Sequence, residues 1–411
     1  MMHKTKLQDL AVTGGTPAFG EKLHVGRPNL GDRGKLMQRL NDVLDRRWLT
    51  NSGQYLREFE QRVAGFVNTK HCVAMCNGEN ALQIAIKALG LKGEVIVPAF
   101  TFVATAHALQ WQGITPVFAD VDPVTHLIDP AKVRQLISER TTGIVAVHLW
   151  GQACPSRELE DLTRAHGLKL LFDAAHAFGC AQEGRMIGGF GDAEVFSFHA
   201  TKFVNSLEGG AIVTNNDELA RVARMMMNFG FVGFDDVRYV GMNAKMNEFS
   251  AAMGLTSFEA MEKFISLNER NYQLYRKFLH GIPGVRMHEY RPSGRFNYQY
   301  LVADVAPQEC PILRDRLLDV LWAENVMARR YFYPGVHRME PYRTLFPDAA
   351  AHLPNTERVS AGVLVLPTGE TMTPEKIEQV CEIIRLSVQN GGELMRRLEK
   401  SPCRVHKEMA R

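Results

Sequence analysis

Between residues 71 and 173 the chain alternates short apolar runs with amphipathic stretches, and few architectures satisfy that rhythm. Runs at 71–76, 94–99, 115–121, 143–149 and 168–173 read as strands, and those at 81–89, 101–112, 130–139 and 157–166 as helices. Units of this kind predict parallel strands joined by right-handed crossovers, with helices on both faces of the sheet. Ile144-Val-Ala-Val-His-Leu149 is almost continuously apolar, which fits a sheet buried on both sides. With 411 residues, 45% hydrophobic and 23% charged, the chain is long enough for one large core and a second, smaller one. The expected fold class is α/β: an N-terminal arm over 1–26, a large domain over 27–255 and a small C-terminal α/β domain over 256–390. One long helix over 247–280 connects the domains. Beyond it, 298–305 and 326–332 read as strands and 311–324 as a helix. Thr373-Pro-Glu supplies an N-cap and an N1 proline for a last helix running to about Val388. The polar, basic tail over 391–411 is expected to be flexible.

Charge and cysteine usage exclude several functions. The balance of 48 basic and 45 acidic residues is +3, which argues against nucleic acid as a partner. The seven cysteines lack zinc-site spacing, since no second pair follows Cys72 and Cys76, and read as reduced thiols of a cytoplasmic protein. No metal site is expected. The N-terminus lacks the apolar core of a signal peptide, and no apolar run approaches the roughly 18 residues of a membrane span.

The chemistry gathers where strands end. Lys202 lies in Phe196-Ser-Phe-His-Ala-Thr-Lys202, between a strand-like run and the apolar run after Glu208-Gly-Gly210. Most lysines are solvated surface charges, but this one sits beside a buried-looking strand. Asp173 closes the run Leu170-Leu-Phe-Asp and so falls at the carboxyl edge of the sheet, where open parallel sheets bind ligands. A lysine amine that can form a Schiff base, with an aspartate to keep a pyridinium nitrogen charged, can hold pyridoxal 5'-phosphate (PLP). Asn77-Gly-Glu-Asn80 stands between a strand and a helix whose first amides can bind phosphate, although an ordinary turn has the same residues. Phe102 can stack on a flat ring or simply fill the core. Ser197 and His199 share one strand face. His176, three residues past Asp173, is alone an ordinary hydrogen-bonded histidine.

The order phosphate turn, aromatic, strand-end Asp, strand-end Lys resembles the DegT/StrS family of PLP-dependent nucleotide-sugar aminotransferases. The likeness runs from about Arg27 to Val388. It is carried by Trp48-Leu-Thr-Asn-Ser-Gly53, Val97-Pro-Ala-Phe-Thr-Phe-Val-Ala-Thr105, Val117-Phe-Ala-Asp-Val-Asp122, Asp173-Ala-Ala-His176, Ser197-Phe-His-Ala-Thr-Lys202, Glu208-Gly-Gly210, Gly241-Met-Asn-Ala-Lys-Met246 and Arg330-Tyr-Phe-Tyr-Pro-Gly335. The resemblance implies fold type I, the aspartate-aminotransferase fold, with a mainly parallel sheet in the large domain. It also implies that Lys202 forms the Schiff base, Asp173 pairs with the ring nitrogen, His176 sits beside the ring hydroxyl and Phe102 stacks on the ring. Gly78, the amide of Glu79 and Ser197 would hold the phosphate. Asn243 would reach the phosphate of the neighbouring subunit in a homodimer with shared sites, and His199 and His337 would face the substrate.

The implied reaction moves an amino group from L-glutamate to an NDP-4-keto-6-deoxyhexose, giving a 4-amino-4,6-dideoxy sugar nucleotide. A 3-keto sugar or a cyclitol ketone is an alternative acceptor. A dehydratase on the same fold would carry His in place of Lys202. Glu79 stands where the family has Thr, and a carboxylate beside a phosphate is repulsive unless it points away; a non-catalytic PLP-binding or regulatory homologue rests on that departure alone.

Overall fold

The computed structural model describes residues 2–291 and 294–399. The expected rhythm forms one seven-stranded sheet of β1 (His71–Met75), β2 (Glu94–Pro98), β3 (Thr115–Ala119), β4 (Thr141–Val147), β5 (Lys169–Asp173), β6 (Ala193–Ser197) and β7 (Gly210–Thr214). Across the sheet the order is β1-β7-β6-β5-β4-β2-β3. All neighbours from β6 to β3 are parallel, and β7 runs antiparallel to both β6 and β1. Alternate residues feed opposite cores, as the two-residue period of a strand requires. Val73, Val95, Val145, Leu171, Val195 and Ile212 pack on one face. Cys72, Ile96, Ile144, Phe172, Phe196 and Ala211 pack on the other.

A second sheet is antiparallel, with β8 (Val285–Met287), β9 (Leu301–Val305) and β10 (Val363–Leu366) in that order. Its cluster takes in the helices Met261–Leu279, Arg314–Ala323 and Pro374–Gln389. The N-terminal residues Leu7, Leu10 and Phe19 are buried in the same cluster. There the buried Lys4 pairs with the buried Glu324 at 3.4 Å.

Four expectations give way. The single helix over 247–280 is two, Glu248–Glu259 and Met261–Leu279, separated at Ala260 (φ −96°, ψ 3°). The first half is buried nearly all round, whereas the second buries one stripe, against the large-sheet core at Met261, Phe264 and Ile265 and against the small-sheet cluster at Tyr272, Tyr275 and Leu279. The strand expected over 326–332 stops at Met327, because the Ala328 amide turns back to the Val326 carbonyl. The helix expected from 101 begins at Ala104, which leaves Thr101 and Phe102 in the loop after β2. The first part of the supposed flexible tail is a helix, Gly391–Leu398, whose Leu394 and Leu398 are buried four residues apart; residues 400–411 lie outside the described ones.

Candidate active site

β5 places Asp173 at the carboxyl edge of the sheet, and burial raises its pKa. Two donors oppose that: Thr105 Oγ1 donates to Asp173 Oδ2 at 2.8 Å and the Ala175 amide to Oδ1 at 3.1 Å. The Lys202 charge acts in the same direction. A carboxylate held this way is an anion fitted to a cation beyond the strand end.

Lys202 follows β6 by five residues and is partly buried. Its amine donates to Tyr300 Oη at 3.2 Å. Burial lowers it to about 8, against the opposing pull of Asp173 and Tyr331. Tyr300 also packs its ring 4.4 Å from His176. His176 is buried, and burial followed by the Lys202 charge holds its pKa well below the usual value, so the ring is neutral. Its Nδ1 is a buried atom without a hydrogen-bond partner. His176 lies parallel to Trp150 and Phe332, at 5.9 and 5.8 Å. Phe332 reaches Phe102 at 6.2 Å, and Phe102 is 55% exposed, which rules out the core-filling reading.

The turn after β1 is closed by close backbone approach. Asn77 caps the helix Gly78–Ala88 by accepting from the Asn80 amide at 2.8 Å. A helix gives its first N–H groups no internal partner, so those of Gly78 and Glu79 face outward as anion donors. A Cβ on Gly78 would lie 3.1 Å from Ser197 Cβ, and one on Gly210 would lie 2.5 Å from the Gly78 nitrogen. Only glycines let β6, β7 and the helix end converge here. The Glu79 side chain is exposed in the first helical turn.

The remaining predicted residues divide. His199 lies beyond the end of β6, not on it, and is exposed, with Nδ1 2.9 Å from Thr201 Oγ1. Asn243 is exposed on the segment whose Ala244 carbonyl accepts from the Cys76 amide, next to the turn after β1. His337 does not fit a substrate role. Its side chain is wholly enclosed and its Nε2 lies 2.5 Å from Glu357 Oε1. Sequence reasoning missed Thr105, Trp150, Tyr300 and Phe332. Thr105 and Phe332 lie inside motifs already noted; Trp150 and Tyr300 stand in no such segment.

Fold and site together define an α/β enzyme whose chemistry centres on a lysine amine. The chain belongs to the DegT/DnrJ/EryC1/StrS aminotransferase family, whose description matches residues 32–385. It is similar to the solved structure of DesI in the presence of its TDP-sugar product, at 48% identity and a TM-score of 0.92, over 96% of this chain and 100% of that one. The dTDP-4-amino-4,6-dideoxy-D-glucose transaminase of Shigella dysenteriae is 33% identical over 365 residues, 88% of this chain and 98% of its own. The GDP-perosamine synthase of Vibrio cholerae is 33% identical over 352 residues, 84% and 94% of the two chains.

Proposed function

We propose that this aminotransferase uses PLP to move an amino group from L-glutamate to an NDP-4-keto-6-deoxyhexose, giving a 4-amino-4,6-dideoxy sugar nucleotide. The observation that carries the reading is the Lys202 amine, lowered to about 8 beside Tyr300 and within the field of Asp173. The residues present fit the cofactor. The unpartnered Nδ1 of His176 suits the ring hydroxyl, the Asp173 carboxylate the ring nitrogen and the exposed Phe102 the ring face. Ser197 and the Gly78 and Glu79 amides suit the phosphate, with the Glu79 carboxylate directed to solvent.

Bound there, PLP supplies an electron sink for negative charge developing beside the amine. Lys202 is both the attachment point and the proton carrier: at about 8, its amine takes and returns a proton near neutral pH. Tyr300 accepts from that amine and fixes its direction. Asp173, whose carboxyl accepts from Thr105 and the Ala175 amide, would hold positive charge on the ring nitrogen. The activity for which the Shigella relative is named and the TDP-sugar product of DesI support a 4-amino sugar nucleotide as product. The working form is a homodimer: Trp48, Leu49, Phe229, Phe234 and Val240 are exposed apolar side chains in two segments, and Asn243 follows the second.

The test is an absorbance titration of the PLP-loaded protein with L-glutamate and then dTDP-4-keto-6-deoxyglucose. Loss of the lysine-bound PLP band with glutamate and its return with the sugar is the expected result. Loss without return rejects that sugar, and no change rejects the transamination.

A further inference from the structure

Behind the site lies a polar chain, half-exposed at Asp304 and otherwise buried, that no step above uses. The indole Nε1 of Trp150 donates to His126 Nδ1 at 3.3 Å. His126 Nε2 lies 3.4 Å from Asp304 Oδ1, and His288 Nδ1 lies 3.7 Å from Asp304 Oδ2. The Gln152 amide nitrogen completes the row, 2.6 Å from His288 Nε2. The members come from separate places: His126 follows β3, Trp150 and Gln152 follow β4, His288 follows β8, and Asp304 lies within β9. The row therefore ties the large sheet to the small one.

The protons in this row can be assigned from its fixed ends. An indole nitrogen only donates, so His126 Nδ1 is the acceptor and its proton sits on Nε2, aimed at Asp304. A carboxylate only accepts, so His288 turns an Nδ1 proton toward it and takes the Gln152 amide proton on Nε2. Both histidines are then neutral and Asp304 is the common acceptor, in keeping with the lowered pKa values of His126 and Asp304. The same trio can be read as metal ligands. A metal-bound imidazole, however, gives its second N–H to an acceptor, and here Trp150 presents a donor.

Trp150 needs such a hold. It has φ 59° and ψ 11°, a left-handed backbone that costs a bulky residue free energy unless its surroundings impose it. Its indole lies parallel to His176 (15°) and Phe332 (9°), at 5.9 and 5.4 Å. We propose that the chain Trp150–His126–Asp304–His288–Gln152 is a positioning network that locks the Trp150 indole and, through it, the His176 ring of the candidate site. Its consequence for catalysis rests on the reading that this site holds PLP.

Solid-state NMR of the full-length, histidine-labelled, PLP-free protein tests the network independently of that reading. His126 should be protonated on Nε2 and His288 on Nδ1, and added Zn²⁺ should move neither. The opposite tautomer at His126, or imidazole shifts induced by Zn²⁺, would overturn the network in favour of a cation site. Two variants test the positioning. His126→Asn keeps an acceptor opposite the indole and His126→Phe does not. His126→Phe should move the Trp150 indole N–H resonance and lower kcat about tenfold, with the lysine-bound PLP absorbance retained, while His126→Asn restores most of both. Equal kcat in the two folded variants would overturn the positioning role. Loss of PLP absorbance in the wild type would instead count against the proposed function.

Discussion

Lys202 shows how burial makes a common residue reactive. With its amine lowered to about 8, the neutral, nucleophilic form dominates above that pH, whereas an ordinary lysine near 10.5 would still be gaining it. The rate at which PLP-free protein captures PLP should therefore rise with pH and level off just above 8, as stopped-flow absorbance would record; a rate still climbing at pH 10 would refute the lowered value. Glu79 offers a second test. Because its side chain is exposed, Glu79→Thr should leave PLP affinity unchanged or tighter, and weaker binding by equilibrium dialysis would move the phosphate elsewhere. Asp173 stood out in the sequence because it ends an apolar run at the carboxyl edge of the sheet, and Lys202 because it follows such a run within five residues. Tyr300 was not, because it reaches the site from the residue before β9, and no local pattern marks a tyrosine as facing a lysine about a hundred residues earlier. His337 shows the converse: a resemblance along the chain does not fix burial, and its side chain is enclosed, with Nε2 against Glu357.

Elements were legible by period, and their ends less so. Thr373 accepts from the amide three residues on and its helix begins at the next residue, as expected, whereas Asn77 caps a helix that begins at Gly78, three residues before the expected start at 81. Where no cap marked the boundary, packing decided it, as at Ala260. The convergence of β6, β7 and the helix Gly78–Ala88 has a sharp test in Gly210→Ala. The added methyl would meet the Asn77 carbonyl and the Gly78 nitrogen at 2.5 Å, backbone atoms that cannot step aside. That variant should fold but lose PLP affinity at least about tenfold, measured by dialysis, since the helix end must retreat. The last helix has its own. Leu394 is fully buried, so Leu394→Ala should destabilise by about 2–5 kcal/mol in denaturant melts; a change within error would restore the flexible tail.

At the scale of the whole molecule, the contact between the two sheets carries a pH dependence. Burial lowers the folded His126 to about 4, with the Asp304 charge opposing and His288 adding to the fall. Above the unfolded value near 6.5 neither state is protonated there, and the stability is fully present. As pH falls from 6.5 toward 4 the unfolded chain takes a proton that the folded one refuses, so stability declines across that window. Tm measured from pH 7 to pH 4.5 should fall more steeply in the wild type than in His126→Asn, and parallel slopes would remove His126 as a cause. The sheet order has a further consequence, which concerns time rather than energy. β1 lies at the edge and, among the described strands, pairs with β7, Met75 opposite Gly210. During synthesis the ribosome delivers β1 early and its partner only after every other strand of that sheet. Until then β1 is an unpaired ribbon and the turn behind it has no wall. The nascent chain therefore passes through a long interval in which it is open to strand-to-strand association and to chaperone capture, and it becomes competent to hold its cofactor only when the seventh strand slides between the sixth and the first.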